Sequence, residues 1–255
     1  MDFLRLYITL APQEPVILPI HYNYILQSSI YSNLDPELSS FMHDEGYEHG
    51  SRTFKPITFS RLNGTYHLDK TSGHISFDGP IRLVVSSPVE EICHSLGTQL
   101  LLEGFIELAG QRVPVDSVEA RRPIVLSNAI TVATLSPVAV YSTLTKADGT
   151  RYTCYFQPGE SEFEELASKN LVKKYQAVFG VDPPEGRISI KPLRQPRLHI
   201  MYYKDTVIKA YSCRLRLEGP KELILLALNA GLGSKNSQGF GCLEVIGHQS
   251  GPTGF

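Results

Sequence analysis

Tyr31, His43 and Lys55 are residue types that together can activate a hydroxyl, protonate a leaving oxygen and stabilise negative charge. Histidine titrates near neutrality, which suits general acid or base work. A lysine ammonium supplies a fixed positive charge toward a developing phosphorane. The segment from Phe41 to Arg52 between them is polar and holds Gly46 and Gly50, as a loop that approaches a substrate would. Each residue also has an ordinary explanation. Tyr31 fits a helix residue covering the core, His43 a helix-end residue complementing the dipole, and Lys55 a strand-edge lysine that discourages aggregation. His43, His49, Asp44 and Glu45 lack a fixed His-x-x-x-His or paired-carboxylate spacing, so no metal is expected. No Gly-x-Ser-x-Gly elbow offers a serine nucleophile, and no cofactor is expected.

A second candidate runs from Gly231 to Gly241, where Gly231, Gly233, Gly239 and Gly241 flank a polar centre holding Lys235. Glycine tolerates positive φ and has no Cβ, so backbone N–H groups there can approach a ligand closely. An apolar helical stretch precedes it and a strand-like stretch follows. That arrangement suits an anionic polymer, and it equally suits a long helix-to-strand turn. No Gly-Lys-Ser/Thr completes a P-loop, and Asn236 stands where a dinucleotide fingerprint needs glycine.

The net charge of −2 argues against a uniformly basic nucleic-acid binder. Its distribution is uneven. Between Arg187 and Arg216 lie Arg187, Lys191, Arg194, Arg197, Lys204, Lys209, Arg214 and Arg216, opposed only by Asp205, a local excess of seven positive charges. Such a concentration can bind phosphates while the whole chain stays near neutral. A solvated two-stranded ribbon would look the same.

Periodicity supplies the elements that must position these groups. Phe3–Leu10 alternates as a strand, 23–34 reads as a helix, and Asp35-Pro36 starts a second short helix to Phe41. Strands are expected over 52–62 and 73–85, a helix over 88–102, and a hairpin region around 111–116. The order then recurs: a strand over 130–141, a helix over 160–179, a long hairpin of 188–203 and 206–217 turning at Lys204-Asp205, a helix over 221–230, and a strand over 242–246. Each half reads β-α-β-β-α-β, so the fold class is α+β with two tandem ferredoxin-like domains, 1–123 and 124–255. The short connector near 122–129 predicts that the halves pack together.

The 255 residues, 42% hydrophobic and 20% charged, describe an ordinary globular chain. No apolar run approaches the roughly 20 residues that span a bilayer. The first residues lack the cationic and apolar regions of a signal peptide. Cys93, Cys154, Cys213 and Cys242 are scattered without a CxxC pair, which suits a reduced cytoplasm rather than zinc or a disulfide framework.

Four segments, in order, resemble the CRISPR-associated endoribonucleases that process repeat transcripts into guide RNAs, members of the repeat-associated mysterious protein superfamily. Tyr24-Ile-Leu-Gln-Ser-Ser-Ile-Tyr31 is similar to that family's first helix. Phe41-Met-His43, followed by Phe54-Lys-Pro-Ile-Thr-Phe-Ser60, is similar to its histidine loop and next strand. Thr134-Leu-Ser-Pro-Val-Ala-Val140 is similar to the strand opening its second domain, and 231–241 to its C-terminal glycine-rich loop. The likeness implies two ferredoxin-like domains and metal-independent cleavage in which the ribose 2′-OH attacks the adjacent phosphate, leaving a 2′,3′-cyclic phosphate and a 5′-OH. It implies that Tyr31 orients or deprotonates the 2′-OH, His43 acts at the leaving 5′ oxygen, and Lys55 stabilises the phosphorus, with His49 and Arg52 as nearby rivals. RNA would be held by Arg52, Arg187, Lys191, Arg194, Arg197, Lys235 and the four glycines. Implied partners are CRISPR repeat RNA, other CRISPR-associated proteins of an effector complex and a second copy of the chain, with no membrane. The alternative within the superfamily is a non-catalytic RNA-binding subunit of a guide-RNA complex.

Overall fold

The computed structural model describes residues 3–246. In the first half, β1 (Leu4–Leu10) and β2 (Val16–Pro19) precede two helices, α1 (Asn23–Ser32) and α2 (Pro36–Ser40). A π-helical turn (Phe41–Glu45) leads to the small hairpin β3 (Tyr47–His49) and β4 (Arg52–Phe54). Then come β5 (Thr58–Phe59), β6 (Asn63–Asp69), β7 (His74–Ser87), α3 (Glu90–Glu103), β8 (Phe105–Leu108) and β9 (Gln111–Arg121).

Alternation in β1 buries Leu4, Leu6, Ile8 and Leu10 beneath α1 and α3 and turns Arg5, Tyr7 and Thr9 to the other face. The long β7 is the spine of this sheet. It pairs antiparallel with β1 and β2 along one side, and with β5 and β6 along the other. The β9 strand completes the ferredoxin order beside β1.

The second half contains β10 (Ala129–Thr134), β11 (Val140–Thr145), β12 (Arg151–Phe156) and α4 (Ser161–Phe179). It continues with β13 (Ser189–Pro192), β14 (Arg197–Tyr203), β15 (Thr206–Ser212), β16 (Arg214–Glu218), α5 (Lys221–Ala230) and β17 (Leu243–Val245). Its sheet runs β13-β16-β10-β17, again the ferredoxin order. Phe163, Ala167 and Leu171 of α4 and Leu223, Ile224 and Leu226 of α5 form a separate core under it. The chain is therefore an α+β protein with two ferredoxin-like units.

Polar contacts join the halves. Arg5, 2% exposed, donates to the carbonyls of Leu228 and Leu243 at 2.8 and 2.6 Å. Ser86 bonds Asn229 at 2.8 Å, and Ser136 donates to the Phe59 carbonyl at 3.0 Å.

Three sequence expectations need correction. The strand expected over 52–62 is split between β4 and β5, because proline at 56 cannot donate to a ladder and the chain turns tightly from Lys55 to Ile57. The strand expected over 130–141 breaks at Ser136-Pro137; β10 stays in the sheet while β11 leaves to pair with β12. The long hairpin does turn at Lys204-Asp205, but only β13 and β16 join the sheet, and β14–β15 stand apart as a ribbon. The strands β2, β3, β6 and β12 were not anticipated; β6 is almost entirely exposed and shows no apolar alternation.

Candidate functional site

Local chemistry delivers His43 to the surface. Asp35 caps α2 by accepting from the Glu37 amide at 3.1 Å, with Pro36 at the first helical position. The helix then widens into the π-turn, closed by the Gly46 amide on the Phe41 carbonyl at 2.8 Å. The turn buries Met42 and turns His43 and Asp44 outward, their side chains 78% and 65% exposed. His43 Nδ1 lies 2.6 Å from Asp44 Oδ1, which leaves Nε2 as the ring nitrogen open to proton transfer. The hydrogen bond to His43 holds the Asp44 carboxyl below the usual carboxylate range.

Lys55 joins this group through the main chain, since its Nζ donates to the His43 carbonyl. Burial pulls the Lys55 pKa down, against the opposing charge of Asp44. Tyr31 and His43 line one shallow depression, yet the Tyr31 hydroxyl is buried and makes no hydrogen bond. Burial pushes its pKa up, partly offset by the neighbouring Gln27 and Ser237 side chains. Of the two tasks the resemblance implies for Tyr31, orienting or deprotonating the 2′-OH, burial of the hydroxyl disfavours the second. A phenol withdrawn from water with a raised pKa is a poor base.

Beside Lys55 a cleft opens between the halves. The β3–β4 hairpin rests against α4, and the opposite wall is the 231–241 segment. Arg52, Lys55, Lys174 and Lys235 line the cleft with no carboxylate among the lining residues. A concavity walled by one sign of charge focuses the field on an anion. A larger concavity between the two sheets is mixed in charge, with Arg61, Arg82 and Arg121 beside Glu119 and Glu244.

The glycines serve differently from the expectation. Gly231, Gly233, Gly239 and Gly241 are all buried or nearly so. A Cβ on Gly233, at φ +73°, would lie 2.6 Å from the Ala139 carbonyl; one on Gly239, at φ +83°, would lie 2.6 Å from the Phe59 ring. The amides of Gly239 and Gly241 bond the carbonyls of Asn236 and Pro137, so they are spent inside the fold. What this segment offers the cleft is the run Ser234–Gln238, with Lys235 its one charged residue.

The basic run is also placed elsewhere. None of Arg187, Lys191, Arg194 and Arg197 lines the cleft. Arg187 and Lys191 border a groove that also holds Glu160, Glu164 and Glu165. Lys191 sits opposite Arg216 across β13 and β16, on the sheet face away from the helices. Sequence reasoning missed Lys174, which burial pushes down to about 7. Its signal was legible: it continues the buried stripe Phe163–Ala167–Leu171 of α4, where a lysine is out of place. His49 faces Arg52 across the small hairpin, within the same surface region.

Among the described residues no helix is long and apolar enough to cross a membrane, and no cluster of His, Cys, Asp and Glu is placed to hold a metal.

Residues 120–245 match the family described as CRISPR associated protein Cas6, C-terminal. The chain is 26% identical over 249 residues to CRISPR-associated endoribonuclease Cas6 1 of Methanocaldococcus jannaschii, covering 96% of this chain and 94% of that one. It is 26% identical over 262 residues to CRISPR-associated endoribonuclease Cas6 of Pyrococcus furiosus, covering 97% and 92%. The solved structure titled "Characterization of a Cas6-related gene from Pyrococcus furiosus" shares the fold, with a TM-score of 0.84 at 22% identity over 97% of this chain and 100% of that one. The matched region spans the second unit, and over nearly its whole length the chain is similar to the Cas6 endoribonucleases named above.

Proposed function

We propose that this protein is a metal-independent endoribonuclease that cuts CRISPR repeat transcripts into guide RNAs. The observation that carries this reading is the exposed His43–Asp44 pair, tied through Lys55 to a cleft lined by the cations Arg52, Lys55 and Lys235. RNA brings its own nucleophile, the 2′-OH, so the protein needs positioning, charge and one proton donor rather than an activated serine. The 2′ oxygen attacks the adjacent phosphorus and the bond to the 5′ oxygen breaks. His43 Nε2 hands a proton to that leaving oxygen, while the 2′-OH proton passes to solvent. The products are a 2′,3′-cyclic phosphate and a 5′-OH. Lys55 adds positive charge near the phosphorane, and Arg52 and Lys235 hold flanking phosphates. Tyr31 supports the histidine turn from below. In this reading residues 1–123 form the catalytic unit and 124–255 the unit that grips RNA. Dimerisation and association with other CRISPR-associated proteins rest on family resemblance alone.

One observation favours a second reading, an RNA-binding subunit that does not cut: the Tyr31 hydroxyl is turned away from the surface. A single experiment separates the two. Purified protein incubated with repeat RNA in EDTA should yield fragments with 2′,3′-cyclic phosphate and 5′-OH ends, and a 2′-deoxy nucleotide upstream of the cut should abolish cleavage. Tight binding without cutting would establish the subunit. A strict need for a divalent ion, or fragments with a free 3′-OH, would defeat the mechanism.

A further inference from the structure

Lys174 is buried in α4, yet among the described residues it meets no carboxylate. Its Nζ donates to the carbonyls of Gly231 and Gly233 at 2.7 and 2.9 Å and to Asn236 Oδ1 at 2.6 Å. All three acceptors are neutral, and they bracket Lys235. The Asn236 amide then donates to the carbonyls of Leu232 and Phe240 at 3.1 and 2.9 Å, closing the loop on itself. Between these tethers Lys235 stands at φ +61°, a left-handed conformation that a lysine adopts only where its surroundings over-determine it. Its Nζ sits 5.5 Å from the centroid of the Tyr141 ring, in the cation-lined cleft.

A buried amine on neutral acceptors alone is expensive to keep charged, and a methionine of similar length would fill the space at lower cost. The lysine therefore asks for a reason beyond stability. We propose that Lys174 is a positioning residue, clamping the 231–241 segment so that Lys235 is aimed at an RNA phosphate in the cleft, without itself touching the RNA. This rests on the reading of the cleft as an RNA site.

The test is a double-mutant cycle on the full chain. The probe is a repeat RNA with a 2′-deoxy nucleotide at the cut, and the readout is the slope of log affinity against log salt. Lys235→Gln should reduce the slope by about 0.7, the share of one single-strand phosphate contact. Lys174→Met should reduce it equally although the residue is buried, and the double variant should lose nothing further. A lowered melting temperature with an unchanged slope would mark a merely structural lysine and overturn the proposal, as would additive losses in the double variant. If Lys174→Met does not fold, Asn236→Ala enters the same cycle with the same expected and overturning results. A wild type that binds no repeat RNA would instead overturn the functional reading beneath it.

Discussion

Lys174 also predicts how stability responds to pH. Burial lowers its pKa from 10.5 to about 7, so the unfolded chain holds a proton that the folded protein has mostly released between those values. Stability rises with pH wherever the unfolded state binds more protons. Here it should rise from pH 7 upward, and the gain should be lost again as the pH falls through 7. A proton held by the unfolded chain alone changes stability by about 1.4 kcal/mol for each step of one in pH. Because the folded lysine is half protonated at pH 7 and its neutral amine has two protons for three acceptors, the gain between pH 7 and pH 9 is at most about 2 kcal/mol. Cys93 and Cys242 act in the opposite sense at the top of this window, because burial raises their thiols to about 12 and about 11. The quantity to measure is therefore the difference between wild type and Lys174→Met, in which the thiol contributions cancel. Urea denaturation at a series of pH values, monitored by circular dichroism, supplies it. A difference that stays flat from pH 7 to 9 would show that Lys174 is charged in the folded state, and the desolvation argument would fail.

His43→Ala should slow cleavage by about 10²–10⁴ with RNA affinity nearly kept, because an exposed proton donor contributes to chemistry rather than binding; unchanged cutting in a gel assay would move the role to His49. Lys55→Ala should slow cleavage less than the histidine change and loosen the turn at the His43 carbonyl, and a variant at full speed would remove Lys55 from the site. Gly239→Val should destabilise the protein by about 3 kcal/mol, combining an overpacked contact with the Phe59 ring and a side chain at positive φ. Wild-type stability of that variant in thermal melts would show that the segment is an adaptable connector.

Much of the local structure was written in short-range pattern. The alternation of β1, the buried stripes of α4 and α5, the Asp35-Pro36 helix start and the Lys204-Asp205 turn all depend on residues within a few positions of one another. The tandem β-α-β-β-α-β order follows from those patterns, and the chemical candidates His43 and Lys55 were visible as residue types. What only tertiary structure decided are the relations across long stretches of chain. The glycines of 231–241 are glycines because groups such as Ala139 and Phe59, far earlier in the chain, press against them. For Tyr31 the helical pattern left both a core and a surface role open, and packing decided for a buried hydroxyl. Where the basic run points was likewise a matter of register, which puts Lys191 opposite Arg216 across β13 and β16. The basic side chains that line the cleft come from β4, the turn after it, α4 and the last loop. Periodicity is a property of neighbours in the chain, whereas a binding surface is a property of neighbours in space, and only the closing of the two units on each other converts one into the other.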